Sequence, residues 1–155
     1  MQDNLFFCFL SNPVILIRFI NHCIFFTIRK KISNILNLVL SIWKKTFNIP
    51  FLLFFYESIF KLKPFLGFHY YILKRKNRKR IIKLKSFLLD KPSRSNKAVY
   101  WLYQSISRRK EFGLLYKILS EIYLLNYFNK SYALVYKITH YNTVLNYKLS
   151  KNFFW

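Results

Sequence analysis

Acidic residues are nearly missing from this sequence. Asp and Glu together number 5 against 27 Lys and Arg, a formal charge of +22 over 155 residues. The acids are Asp3, Glu57, Asp90, Glu111 and Glu121, too scattered along the chain to read as a paired-carboxylate acid–base site. Glycine is limited to Gly67 and Gly113, which excludes a glycine-rich phosphate loop. Cys8 and Cys23 have no metal-ligand spacing and imply neither a disulfide framework nor a zinc site. His22, His69 and His140 lie far apart in the chain. No enzyme activity, metal or cofactor is expected. A basic nucleic-acid-modifying enzyme would need acids or histidines that only the fold brings together.

Long apolar runs are scarce as well. A membrane-spanning helix needs about 20 predominantly apolar residues. The longest uncharged stretch, Asn4 to Ile17, is broken by Asn12-Pro13 and closed by Arg18. Later runs are cut by Arg29–Lys31, by Lys44-Lys45, and by Glu57 and Lys61. No membrane span is expected. There is no basic segment before Leu5 and no small-residue cleavage site, so a cleavable secretory signal is not expected either.

What is abundant is positive charge and apolar surface together. Apolar residues make up 54% and aromatic residues 21%. A disordered basic tail lacks that much core-forming material, and a charge this high calls for an anionic partner, nucleic acid or a membrane surface. Phe, Ile, Lys, Asn and Tyr share A/T-rich codons, which reads as the composition of an organellar genome. The length suits one domain.

The chain reads as mainly α, a six-helix core with one basic β-hairpin inserted between the third and fourth helices. Residues 1–13 are apolar without period and form an N-terminal arm. Ile17, Ile20, Ile24 and Ile28 stripe a helix from Val14 to Ile28, closed by Arg29-Lys30-Lys31. Ile32, Ile35, Leu36, Val39 and Ile42 mark a second, to Lys45, followed by a loop from Thr46 to Ile49. Pro50 opens a third, to about Lys61, with Phe51, Phe54, Phe55, Ser58, Ile59 and Leu62 on its stripe; Pro64 and Gly67 stop it. Residues 68–89 are β-branched and aromatic on both sides of Lys74–Arg80, where six cations surround Asn77: a hairpin with a basic tip. Asp90 to Pro92 is a linker.

The fourth helix, Arg94 to Arg109, carries the clearest pattern. Ala98, Trp101, Leu102, Ser105 and Ile106 form an apolar face, and Lys97, Gln104 and Arg108 a polar row beside it. Ser93 or Ser95 is expected to cap its start. A fifth helix spans Glu111 to Phe128 with Gly113 early in it; Leu114, Leu115, Ile118, Ile122 and Leu125 form its stripe. Asn129-Lys130 turns the chain, and a last helix runs from Ser131 towards Asn152.

Basic clusters recur at helix ends, on the hairpin and around the fourth helix. The candidate RNA contacts are Arg29, Lys30, Lys31, Lys74, Arg75, Lys76, Arg78, Lys79, Arg80, Arg94, Lys97, Arg108 and Arg109. Such residues neutralise phosphates and supply affinity with little sequence preference. Tyr70, Tyr71, Tyr100 and Tyr103 lie beside them, placed to stack on unpaired bases if they are not core.

The order of these features resembles the bacterial-type small-subunit ribosomal protein seven family, in a divergent organellar form. Arg94, Ala98, Trp101, Leu102, Gln104, Arg109 and Glu111 match that family's fourth-helix pattern. Glu121 falls where the fifth helix has a glutamate, His140 and Asn146 match the late helix, and the closing Phe-Phe-Trp resembles a terminal aromatic motif. Leu16–Asn21, Arg29–Lys31, Pro50, Phe54, Ile59 and Lys63-Pro64 extend the match, so it covers about Val14 to Trp155. The chain departs from the pattern in its arm, where Leu-Phe-Phe-Cys-Phe-Leu-Ser-Asn-Pro replaces basic residues. It also lacks the hairpin Gly-Gly, and it has Lys130-Ser131-Tyr132 where glycines precede the last helix.

The resemblance implies a structural constituent of an organellar small ribosomal subunit. Such a protein binds the 3′ major domain of small-subunit rRNA and supports assembly of the subunit head and translation. The implied partners are that rRNA, neighbouring head proteins and, near the hairpin, the exit-site tRNA and mRNA path. The mitochondrion is the expected compartment, with a plastid or apicoplast as the alternative. The competing reading is a small basic membrane-associated subunit of an organellar complex, suggested by the Phe-rich first third.

Overall fold

The computed structural model describes residues 13–24, 29–47, 50–73 and 81–149. Within them the order is α1 (Pro13–Ile24), α2 (Arg29–Phe47), α3 (Phe51–Leu62), β1 (Leu66–Leu73), β2 (Ile81–Leu88), α4 (Lys91–Arg108), α5 (Leu114–Tyr123), a π-helical turn (Leu124–Phe128) and α6 (Tyr132–Leu149). The protein is mainly helical, with an antiparallel hairpin between the third and fourth helices. Residues 1–12 of the expected arm, the expected end of the first helix at 25–28, the tip at 74–80 and the end of the last helix lie outside the described residues, while Pro13 belongs to α1 rather than to the arm.

Helix α4 is the centre of the body. It packs against α1, α3, α5 and α6. Its expected apolar face, Ala98, Trp101, Leu102, Ser105 and Ile106, is buried, and Ser95 and Val99 join it. The Ser105 hydroxyl is tolerable there because it donates to the Leu102 carbonyl at 2.7 Å. The core continues through Phe55, Ile59 and Leu62 of α3, Val39 and Trp43 of α2, and Ile118 and Ile122 of α5.

Several boundaries and faces differ from expectation. α1 turns Phe19 and Cys23 inward, while Ile17 is 52% exposed. Its polar residues Arg18 and Asn21 share one side, and the buried side is the one opposite them, where Phe19 and Cys23 lie, rather than the isoleucine stripe. Arg29, Lys30 and Lys31 open α2 rather than close α1, although the macrodipole disfavours cations there. Thr46 and Phe47 extend α2 into the expected loop. α4 begins at Lys91, with Pro92 in its first turn, so Asp90–Pro92 is not a linker. Neither serine caps it: Asp90 holds the cap position without a side-chain bond, and Ser95 donates back to the Lys91 carbonyl.

Gly113 stands outside α5 as its N-terminal boundary, at φ 85° and ψ 142°. That backbone region is nearly closed to residues with a Cβ. The α-helical hydrogen bonding expected to Phe128 gives way at Leu124 to the wider π-turn. Asn129 then reverses the chain in the left-handed region, φ 51°. Ser131 caps α6 by accepting from the Leu134 amide at 3.1 Å.

The hairpin pairs Leu66 with Leu88 through Leu73 with Ile81 without a bulge. It is tied to the body at its base. The Phe65 amide donates to the Tyr141 hydroxyl at 2.8 Å. His140 Nε2 donates to the Leu66 carbonyl at 2.8 Å, and its ring stacks on Phe68 at 4.7 Å. Gly67 allows the Phe87 ring to lie close: a Cβ at 67 would meet Phe87 Cζ at 2.8 Å.

Candidate nucleic-acid interface

The fold collects cations that the sequence keeps far apart. A cleft of about 840 Å³ opens between the start of α1, the end of α3, the start of α4 and the middle of α6. Arg18, Lys61, Lys63, Lys91, Arg94 and Lys137 line it, and among the described residues no carboxylate does. Of these, sequence reasoning singled out Arg94 alone. The others come from α1, the end of α3, the start of α4 and α6, and no linear signal joins these four places.

Internal bonds orient these side chains. Arg94 Nε donates to the Leu89 carbonyl at 2.6 Å, and its guanidinium lies 4.8 Å over the Phe65 ring. Arg18 donates to Asn96 Oδ1, which ties α1 to α4. Lys61 Nζ reaches the Asn126 carbonyl at 3.1 Å and Glu57 at 2.9 Å. Lys137 Nζ donates to the Lys61 carbonyl, and burial holds its pKa below the usual lysine value. An anion entering the cleft would meet donors that are already held in place, and it would offset their mutual repulsion.

The expected contacts fall into distinct environments. Lys97 lies beneath the hairpin base, 5.5 Å over Phe68 and 6.0 Å over Trp101, with Nζ 3.4 Å from His140 Nε2. Burial lowers its pKa. Burial also lowers that of His140, assisted by the Lys97 charge and opposed by the bond to Leu66. Arg108 is exposed and lies 5.4 Å over Tyr132. Lys31 is exposed at the start of α2. Lys74, Arg75, Lys76, Arg78, Lys79 and Arg80 lie outside the described residues, as do the side chains of Arg29 and Lys30.

Arg109 is the exception among them. It is buried, donating from Nε to Glu121 Oε2 at 2.5 Å and from Nη1 to Glu111 Oε1 at 2.8 Å. Glu121 is 0% exposed and also accepts from the Ala133 amide in the first turn of α6. The guanidinium expected to face RNA instead fastens α4, α5 and α6 together. Desolvation works to raise the Glu111 pKa, but hydrogen bonds from its own backbone and Arg109, with the Arg109 charge, hold it below the usual value.

Tyr70 and Tyr100 are exposed, whereas Tyr103 is half-buried with its ring 5.4 Å from His22. The side chain of Tyr71 lies outside the described residues. Among the described residues, no group of three or more His, Cys, Asp or Glu side chains could hold a metal ion. No single described helix is long and apolar enough to cross a membrane. The pair Asn34–Phe47 and Phe51–Leu62 reaches the needed composition only together, across a 98° bend. No family model matches the chain, and no curated protein matches it.

Proposed function

We propose that the protein is a structural, rRNA-binding component of an organellar small ribosomal subunit, most simply the mitochondrial one. The cleft carries the reading: six cations and, among the described residues, no carboxylate line it, in a chain of net charge +22. That chemistry suits converging phosphates and gives affinity through counterion release. The ordered resemblance to the small-subunit ribosomal protein seven family narrows a general RNA binder to this role. In that role the helices form a rigid body, the cleft and exposed cations bridge segments of the 3′ major domain, and neighbouring head proteins cover the remainder. The basic hairpin reaches towards the exit-site tRNA and mRNA path. Catalysis has no part in this reading.

Sedimentation tests it directly. The tagged protein should travel with small subunits and leave them at high salt. Recovery only in detergent-extracted membrane complexes would sink the idea. The bent apolar pair of α2 and α3 favours a second reading, a membrane-associated subunit. Alkaline carbonate extraction separates the two, because a membrane-embedded protein stays in the pellet.

A further inference from the structure

Aromatic rings pile up on the side of the body formed by α2, α3 and the π-turn. Phe47, at the end of α2, lies 5.6 Å from Tyr123 and 6.0 Å from Tyr127. Tyr127 stacks on Phe54 of α3 at 5.6 Å, with the rings 21° from parallel. The π-turn completes the pile. Its wider loop sets the residues four and five positions on astride Tyr123, so that Tyr123 touches both Tyr127 at 4.9 Å and Phe128 at 5.7 Å. An insertion of this kind in a helix often marks a functional position.

The outer rings are open. Tyr127 is 47% and Phe128 53% exposed, so the pile presents two adjoining rings to water. Exposed lysines lie on the same elements: Lys44, one turn before Phe47 on α2, and Lys130, two residues beyond Phe128. Lys61 reaches the carbonyl of Asn126, next to Tyr127. The neighbouring carboxylate, Glu57, is ion-paired with Lys61. An aromatic surface edged by ammonium groups suits a single strand, because every base has a π-face and every nucleotide a phosphate. Protein partners also use exposed aromatic rings; the positive charge of the chain, +22 in all, is what favours a polyanion here.

We propose that Tyr127 and Phe128 form a stacking site for an unpaired base of an RNA strand, with Lys44 and Lys130 available for the adjoining phosphates. The site is separate from the cleft, since it shares only Lys61 with it. The proposal rests on the reading of the protein as an RNA binder and adds single-strand preference to it.

The test measures binding of the full chain to a labelled single-stranded oligoribonucleotide and to an RNA duplex of equal length. The variant Tyr127→Leu with Phe128→Leu removes the rings and keeps apolar bulk. Tyr127→Phe keeps the ring. Circular dichroism melts check that each variant folds. The double variant is expected to bind the single strand about tenfold more weakly and the duplex within about twofold of wild type. Tyr127→Phe is expected to match wild type on both. Equal loss on both RNAs, or no loss on either, overturns the stacking site while leaving the RNA-binding reading standing. Unchanged RNA binding with lost association to RNA-free ribosomal proteins overturns it in favour of a protein contact. Failure of the wild type to bind either RNA overturns both readings.

Discussion

Replacing Arg109 with methionine keeps most of the side-chain volume and removes the charge at the α4–α5–α6 joint. Glu121, 0% exposed, is then left with the Ala133 amide as its remaining partner. Removing one partner of a buried ion pair costs about 3–5 kcal/mol, because the other charge stays desolvated. For a chain of this size each kcal/mol moves Tm by about 2–4 °C, so the expected drop is about 6–20 °C. Adding Glu121→Gln removes the stranded charge and keeps an oxygen for Ala133. The pair Arg109→Met, Glu121→Gln should therefore recover at least half of the loss, and thermal melts of the four-member cycle measure this coupling. The reasoning fails if Arg109→Met lowers Tm by less than about 3 °C, or if the double variant is no more stable than the single one. Arg108→Gln is the contrast: it should leave Tm nearly unchanged and reduce the salt slope of RNA binding by about one.

Three other outcomes are expected. Gly113→Ala should cost about 1–3 kcal/mol in denaturant unfolding, since its backbone at φ 85° resists a Cβ; an unchanged midpoint would refute the strain. His140 has a lowered pKa in the folded state, so the unfolded chain takes up its proton first as pH falls below about 6.5. The His140 contribution to stability is therefore full above that pH and declines below it; His140→Gln should flatten the Tm profile between pH 7.5 and 5.5, and an unaltered slope would exclude this residue as its source. Neutralising Arg78, Lys79 and Arg80 together should weaken RNA binding and make its salt dependence shallower. A slope equal to that of wild type would count against contact at the hairpin tip.

The helices were legible where polar residues alternate with apolar ones. The α4 face emerged from Ala98, Trp101, Leu102, Ser105 and Ile106 because Lys97, Gln104 and Arg108 mark its other side. In α1 the isoleucine stripe was followed instead of the side opposite Arg18 and Asn21, so Phe19 and Cys23 were missed although Ile20 does pack against the core. The π-turn was illegible because its hydrogen-bond shift leaves no mark in a continuous apolar stripe. The cleft was hidden for a different reason. Its cations come from four helices, and spacing along one helix cannot report on another. Arg108 and Arg109 are adjacent in a basic run, and only the position of Glu121 separates an exposed cation from a buried one.

The use of the carboxylates bears on selectivity. Of the five in the chain, Glu57, Glu111 and Glu121 are engaged by Lys61 and Arg109. Among the described residues that leaves Asp90 as the acid outside an ion pair. Proteins commonly refuse wrong partners by setting like charge against them. This surface has almost no negative charge with which to repel a polyanion. In the proposed role, discrimination among RNAs would then rest on shape, on how a rigid set of helices matches the spacing of phosphates, rather than on repulsion. Free in its compartment, the protein would adhere to whatever nucleic acid it met first. Its accuracy would depend on that attachment being weak enough to reverse until a fitting RNA fold is found.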